Sequence, residues 1–458
     1  MMMNKAIFRQ YDIRGHADRD LTDDTVRLIG QAFGTYVQEQ GTNEVLVGRD
    51  NRLSSDRLHK MLLNGLLDSG CHVIDIGLVV TPILYFAREH FGISGGVMIT
   101  GSHNPPEDNG FKLACGEGTI YGDQIIKLRD MITANKFRSG SGTLQVRDVV
   151  DSYLQMLADK IKLGKRPLKV AVDCGNGTAS LFAEKILNNW GCEVIPLYCE
   201  SDGSFPNHQP DPVKTANLAQ LKKTVLENRA DLGVAYDGDA DRLGVVDDQG
   251  NVVWGDKLMC LFWREILAKH PGALAIVEVK CSQALVDEIK RLGGKPFLYK
   301  TGHSLIKAKM KETGAVFTGE MSGHMFFADE YYGYDDAFYA TGRLLRILSQ
   351  QDEPLSQLLA DIPHYYSTAE TRVPCPDEKK FQVVKNLVEQ FRQQYEVIDI
   401  DGVRVLFDDG WGLVRASNTQ PVLVARCEAK TKEGLQNNCA VIKNAIRQQE
   451  VGDFDWEY

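Results

Sequence analysis

The chain has ten cysteines but not a single CxxC pair. That spacing excludes the usual zinc and dithiol motifs and points to reduced, mostly buried thiols. Basic charge is also short: 52 Lys and Arg stand against 62 Asp and Glu, for a net charge of -10. A general nucleic-acid binder normally presents a basic face, so no nucleic-acid partner is expected. An anionic substrate would need a local basic pocket, because the field of the whole protein would not attract it. No apolar run reaches the ~18 residues of a spanning helix, and Met1 to Arg9 holds no apolar leader core. The expectation is a cytoplasmic protein with no membrane partner. Common cofactor signatures are missing as well. There is no G-x-x-x-x-G-K-[ST] and no G-x-S-x-G. The strand KVAVD leads into GNGTAS, but Ser180 stands where a dinucleotide turn needs Gly or Ala.

What is present is an ordinary globular composition, 43% hydrophobic and 25% charged over 458 residues. That length corresponds to about three domains and allows sizeable cores. A threefold repeat runs through it. The units open EVLVGRDNRLSSDRLHKMLLNGLLDSGCHVIDIG, LKVAVDCGNGTASLFAEKILNNWGCEVIPLY and LAIVEVKCSQALVDEIKRLGGKPFLYKTG. Each starts with an apolar β-branched run, continues through an amphipathic helix stopped by Gly70, Gly191 or Gly293, and returns to a strand. This is the βαβ pattern, and it predicts a mainly parallel core. Further on, each unit has a strand, a polar loop and another strand: GGVMITGSHNPPEDNGFKLA, DLGVAYDGDADRLGVVD and GAVFTGEMSGHMFFAD.

After Pro363 the pattern changes. A helix near 378–395, strand-like VRVLF, WGLVRAS and PVLVARCEA, and a last helix near 434–447 indicate a smaller α+β domain. The expected fold class is α/β, with three similar mixed α/β domains plus this C-terminal α+β domain around a central cleft. The expected domains are 1–150, 151–251, 252–363 and 364–458.

The polar loops carry the chemistry. In DGDADR, Asp237, Asp239 and Asp241 alternate within one turn. Two unit charges ~4 Å apart repel by about 4 kcal/mol at an effective dielectric near 20, so three carboxylates held together favour a cation. Hard oxygen donors suit Mg²⁺ or Ca²⁺. The opening resembles an EF-hand loop, but Arg242 replaces the required Gly and the flanks are strands. In TGSHNPP, Ser102 sits in a loop stiffened by Pro105 and Pro106, and its neighbour His103 is poorly placed to be its base. An oxygen nucleophile, an acidic metal turn and a basic pocket together suit phosphoryl transfer. GEMSGH offers Glu320, Ser322 and His324, an alternation suited to a polyhydroxyl ligand. RASNTQP offers Arg415, Ser417, Asn418 and Thr419, which suit a phosphate.

These four loops, in this order, resemble those of the α-D-phosphohexomutase superfamily, with likeness from RQYDIRG to Arg426. TGSHNPP and GEMSGH resemble most the bacterial phosphomannomutase/phosphoglucomutase branch. Phosphoglucosamine mutases tend to show GEQSGH, from which Met321 departs. The resemblance implies a heart-shaped, four-domain molecule around one deep cleft. It implies a phosphoserine at Ser102 and Mg²⁺ held by Asp237, Asp239, Asp241 and a phosphoserine oxygen. It implies exchange of hexose 1-phosphate and hexose 6-phosphate through a hexose 1,6-bisphosphate that also acts as activator. In the sugar loop it places Glu320, Met321, Ser322 and Gly323 on the substrate. Tyr11, Arg14, His103, Arg242, Lys280, Thr301, Gly302 and His303 also line the cleft by resemblance. Lys112 and His324 are the acid–base candidates, Lys112 as a base only with a lowered pKa; Arg14 joins the catalytic set. The expected partners are small hexose phosphates, and the expected assembly is a monomer or weak homo-oligomer. The competing readings are a phosphoglucosamine mutase, a metal-dependent sugar phosphatase and a non-catalytic sugar-phosphate binder.

Overall fold

The computed structural model describes residues 3–418 and 420–457. Thr419, expected in the phosphate loop, lies outside the described residues. The chain packs as two compact units. The first runs through Gly255 and adds Lys307–Phe317 and Ser322–Ala360. The second comprises Asp256–Ile306, Thr318–Met321 and the chain from Asp361 onward.

The first unit holds two sheets. One is built from β1 (Ile13–His16), β2 (Glu44–Arg49), β3 (His72–Leu78), β4 (Gly95–Ile99), β5 (Asp108–Cys115), β6 (Gly118–Thr119) and β7 (Thr143–Val146). Its order is β1-β5-β4-β2-β3-β7, with β6 beside β5. The helix Ser55–Asp68 links β2 to β3 and buries Leu58, Leu62 and Leu66, one stripe at four-residue spacing. Burying each such leucine contributes roughly 2 kcal/mol. Phe33, Val47, Val97 and Phe111 complete that core. The helix stops where Gly70 takes a left-handed φ of +90°, a conformation costly for residues with a Cβ.

The second sheet contains β8 (Lys169–Asp173), β9 (Glu193–Leu197), β10 (Leu232–Tyr236), β11 (Leu243–Asp247) and β12 (Val252–Val253), in the order β12-β11-β10-β8-β9. The run β9-β8-β10-β11 repeats β3-β2-β4-β5 of the first sheet. In both, the first three strands are parallel and the fourth is antiparallel. The repeat read from sequence is therefore a repeat of topology. The sheets are mixed where a mainly parallel core was expected. The reason is loop length: a parallel return needs a crossover of a dozen or more residues, so strands joined by a short loop pair antiparallel.

In the second unit, β13 (Leu274–Glu278) runs parallel to β14 (Lys295–Tyr299) across the helix Gln283–Arg291, which buries Leu285 and Ile289. In sequence the GEMSGH loop lies between the short β15 (Phe317–Gly319) and β16 (Met325–Phe327), the latter belonging to the first unit. The C-terminal part contains β17 (Tyr366–Ser367), β18 (Thr371–Pro374), β19 (Glu396–Ile398), β20 (Val403–Phe407), β21 (Gly410–Ala416) and β22 (Val422–Ala429). They form an antiparallel sheet, β17-β22-β21-β20-β19, with β18 also beside β22. Helices Asp377–Phe391 and Lys432–Arg447 bury Leu387, Phe391, Ile442 and Ile446 in the core it shares with Val405 and Val414. Among the described residues, no helix is long and apolar enough to cross a membrane. All ten cysteines are free thiols, and all but Cys115 and Cys199 are buried.

Candidate active site

Ser102 lies in the loop between β4 and β5, 1% exposed, with a left-handed φ of +49°. Few residues other than glycine adopt that region, and those that do cluster at functional sites. The loop is held from beneath by Arg52. Its Nη1 donates to the carbonyls of Pro105 and Asp108 at 2.5 and 2.9 Å, and its Nη2 to those of Ser102 and Asn104 at 2.7 Å each. Asp50 balances that guanidinium at 3.3 Å and accepts the Gly101 N–H at 3.2 Å. With its carbonyl clamped, Ser102 projects Oγ at the neighbouring acidic loop and donates to Asp237 Oδ2 at 2.7 Å. The two loops touch through backbone as well. A Cβ on Gly238 would lie 2.3 Å from the Ser102 carbonyl oxygen, so that approach requires glycine. His103, set aside from sequence as a poorly placed base, brings Nδ1 within 3.2 Å of Ser102 Oγ. Burial, then the charges of Arg242 and Arg14, push its pKa well below the ordinary histidine value.

Asp237, Asp239 and Asp241 are fully buried, and one oxygen of each lies within 4.8 Å of the others. Burial and the two neighbouring carboxylates raise the Asp237 pKa well above the ordinary range. Burial would raise Asp239 too, but Lys112 reverses the direction and holds it low. The Lys112 ammonium sits 2.6 Å from Asp239 Oδ2 and also pairs with Asp241 Oδ2. Burial would lower the Lys112 pKa, yet Asp239 and Asp241 hold it well above the ordinary lysine value. The condition set for Lys112 as a base is therefore not met; it is a cation. Thr81, at the start of the helix Thr81–Phe91, donates Oγ1–H to Asp239 Oδ2 at 2.5 Å. The remaining oxygens, Asp239 Oδ1 and Asp241 Oδ1, are buried and accept no hydrogen bond. Three close carboxylates with orphaned oxygens fit a hard divalent cation.

Other cations surround this cluster. Arg14 donates Nε–H to Asp12 at 2.7 Å and Nη1–H to Asn104 Oδ1 at 3.2 Å. Burial would lower its pKa, but Asp12, with Asp239 and Asp241, raises it. Arg242 donates Nε–H to His324 Nε2 at 3.0 Å. His324 Nδ1 lies 3.0 Å from Asp335 Oδ2 and 3.6 Å from Asp241 Oδ1. Gly323 approaches β11 closely and accepts the Leu243 N–H at 3.1 Å. Tyr11 is buried in the same unit, whereas Ser322 is partly exposed.

The second unit gathers the remaining expected residues. Glu278, fully buried at the end of β13, accepts Thr301 Oγ1–H at 2.8 Å and the Met321 N–H at 3.0 Å. Glu320 accepts the Gly302 N–H at 2.7 Å. Buried His303 follows, opening the helix His303–Thr313. Lys280, read from sequence as either a cleft residue or an exposed strand end, is buried between Glu278 at 3.1 Å and Glu370 at 2.5 Å. Burial would lower its pKa, but those two glutamates raise it. Arg415, at the end of β21, pairs with Asp401 at 2.9 Å, and Asp401 also accepts the Thr301 N–H at 3.0 Å. Ser417 accepts the Gln420 N–H at 3.1 Å inside the RASNTQP turn, and Asn418 is partly exposed there.

Sequence reasoning missed Arg52, Thr81, Glu278, Asp335, Glu370 and Asp401. Each is a single polar residue outside the four loops, and each has a partner far along the chain: Ser102 for Arg52, Asp239 for Thr81, Met321 for Glu278, Lys307 for Asp335, Lys280 for Glu370 and Arg415 for Asp401. Arg52 and Asp50 do stand in a polar turn, RDNR, directly after a buried strand, the one local signal among them.

Comparison with known proteins agrees with this organisation. The models of phosphoglucomutase/phosphomannomutase α/β/α domains I, II and III match residues 5–139, 151–250 and 254–366, and that of the C-terminal domain matches 370–445. A Pseudomonas aeruginosa protein named phosphomannomutase/phosphoglucomutase is 46% identical over 443 residues, 96% of each chain. A Neisseria gonorrhoeae protein named phosphoglucomutase is 44% identical over 439 residues, 95% of each chain. The crystal structure of a phosphoglucomutase/phosphomannomutase family protein from Burkholderia thailandensis superposes with a TM-score of 0.93 at 40% identity, over all of both chains. With four domain models matched in order along nearly its whole length, this chain belongs to the phosphoglucomutase/phosphomannomutase family.

Proposed function

We propose that the protein interconverts hexose 1-phosphate and hexose 6-phosphate, with mannose and glucose as the sugars, through a phosphoserine at Ser102. The observation that carries this reading is the buried hydroxyl of Ser102, 2.7 Å from one of three clustered carboxylates, the other two of which pair with Lys112. A divalent cation, best Mg²⁺, would be held by Asp237, Asp239 and Asp241 and would neutralise charge on the transferring phosphoryl group.

In the resting state Ser102 carries phosphate. The O6 hydroxyl of a hexose 1-phosphate attacks that phosphorus. The O6–P bond forms as the bond to Ser102 Oγ breaks, the O6 proton passes to a base, for which His324 is the best candidate, and Ser102 Oγ regains a proton to become a hydroxyl. Lys112 and Arg14, both cationic, offset negative charge and supply donors to the group in transit. The product of this half is a hexose 1,6-bisphosphate. After reorientation, the Ser102 Oγ–P bond forms again as the O1–P bond of the bisphosphate breaks; Ser102 gives up its hydroxyl proton, O1 takes one up, and the hexose 6-phosphate leaves. Glu320, Met321 and Ser322 recognise ring hydroxyls. Arg415, Ser417, Asn418 and Thr419 hold the non-transferring phosphate, and Lys280, Thr301, Gly302 and His303 support the substrate. The P. aeruginosa relative carries both sugar names and the N. gonorrhoeae relative one, so both sugars belong in the test.

The test incubates the full chain with glucose 1-phosphate or mannose 1-phosphate, Mg²⁺ and a trace of the 1,6-bisphosphate. The 6-phosphate is expected to form, and chelation is expected to abolish turnover until Mg²⁺ returns. Release of inorganic phosphate in its place would establish a phosphatase, and binding without product a non-catalytic binder; either result overturns the proposal.

A further inference from the structure

Two cysteines face one another beyond the carboxyl ends of β8 and β9. These strands run parallel and pair Asp173 with Leu197. Cys174 follows β8 directly, and its N–H donates to the Leu197 carbonyl at 3.1 Å. Tyr198 then takes a left-handed φ of +50°, a region few residues with a Cβ adopt. After that turn, Cys199 Sγ lies 3.4 Å from Cys174 Sγ. Cys174 is fully buried, whereas Cys199 is partly exposed. An accessible sulfur beside a sheltered one is the arrangement of an oxidisable thiol with its resolving partner. Burial and the neighbouring Cys199 push the Cys174 thiol well up, so Cys174 keeps its proton until Cys199 has reacted.

We propose that Cys174 and Cys199 close to a reversible disulfide under hydrogen peroxide, and that this bond adjusts the acidic loop packed beside them. The Cys199 thiolate attacks one peroxide oxygen; the O–O bond breaks, giving a sulfenic acid and hydroxide. Cys174 Sγ then attacks Cys199 Sγ, and the S–S bond forms as the S–O bond breaks. The departing hydroxide takes the Cys174 proton, and the first hydroxide takes the proton that Cys199 released. Two thiols are oxidised, and one peroxide is reduced to two waters.

An S–S bond is about 2.05 Å long, so sulfurs 3.4 Å apart must close by roughly 1.4 Å. Movement on either side reaches the same segment. The Asn176 N–H donates to the Tyr198 carbonyl and its Nδ2 to the Glu200 carbonyl, each at 2.9 Å, so a shift of Cys199 pulls on Asn176. The Cys174 carbonyl accepts the Gly177 N–H at 2.8 Å, so a shift of Cys174 pulls on Gly177. Thr178, next in the chain, donates its N–H to the carbonyl of Gly238, between Asp237 and Asp239, at 3.0 Å. A Cβ on Gly177 would lie 3.1 Å from Gly238 Cα, so the two backbones are in contact.

The test titrates the full chain with hydrogen peroxide, blocks remaining thiols by alkylation and maps the cross-linked peptides by mass spectrometry. A Cys174–Cys199 bond is expected, reversed by dithiothreitol, while the fully enclosed Cys427 and Cys439 stay reduced. Hydrogen exchange at the Thr178 amide is expected to quicken in the oxidised chain. Turnover is expected to fall on the order of tenfold and to recover on reduction. Cys199→Ser is expected to form no cross-link and to keep its turnover in peroxide. Cys174→Ser is expected to leave a sulfenic acid at Cys199 that dimedone traps. The turnover measurement rests on the mutase reading; the cross-link and the exchange do not, so a failure of that reading is told apart from a failure of this proposal. No Cys174–Cys199 cross-link overturns it. So does a cross-link with unchanged exchange at Thr178, or with unchanged turnover in a chain that is active when reduced.

Discussion

Ser102 shows how little a functional residue announces by itself. Its neighbours in sequence predict only a stiff turn. Its position comes from Arg52, which binds four carbonyls of the loop, and from Gly238, whose missing side chain admits the Ser102 carbonyl. The same holds for Lys112. Its residue type leaves acid, base or cation open, and the two carboxylates beside it decide for the cation. His103 makes the point in reverse, since the left-handed turn at Ser102 accompanies a contact that chain proximity alone argued against. Ser102→Ala is expected to abolish labelling of the protein by ³²P-bisphosphate and to lower turnover on the order of a thousandfold or more. Turnover within a few fold of wild type would end the phosphoserine assignment. Because Ser102 Oγ–H is one bond among many in that loop, the far-ultraviolet circular dichroism of the variant is expected to match wild type.

At the scale of elements, apolar periodicity carried most of the information. The β-branched runs and the leucine spacing of Ser55–Asp68 satisfy strand and helix geometry at once, so the βαβ units were legible. The C-terminal helices and β20, β21 and β22 were legible for the same reason. The strands β17, β18 and β19, two to four residues long, were not, because so short a run has no readable period. They exist through pairing with distant strands, β17 and β18 with β22 and β19 with β20. Helix ends were partly legible. The last helix starts at Lys432, with Thr431 as its cap accepting the Gly434 N–H at 3.0 Å. Thr431→Ala is expected to destabilise that end by about 1 kcal/mol. Hydrogen exchange at Gly434 and Leu435 is expected to speed up accordingly, and exchange in β8 to stay unchanged. Thr431→Ser is expected to retain protection.

At the scale of the molecule, charge becomes a stability term. Glu370 is paired with Lys280 at 2.5 Å. Burial alone would raise its pKa, but Lys280 lowers it to about 2, against an ordinary glutamate value of about 4.3. A carboxylate depressed on folding stabilises above its unfolded value, and that stability is lost as pH falls through its folded value. The contribution of Glu370 is therefore complete above about pH 4.3 and drains away toward pH 2. Urea midpoints at about pH 6 and about pH 3 are expected to differ less in Glu370→Gln than in wild type. An equal or larger difference would show that the pair does not contribute.

The sequence by itself determined the elements, the threefold repeat, the loops that carry polar chemistry and, through their order, the family. Each of these depends on residues within one strand, one turn or one helix face, where spacing and geometry are directly related. The tertiary structure decided which groups share a hydrogen bond: Ser102 with Asp237, Lys112 with Asp239, Lys280 with Glu370. Protonation and charge follow from those pairings. They depend on burial and on partners from other elements, and no local pattern encodes either.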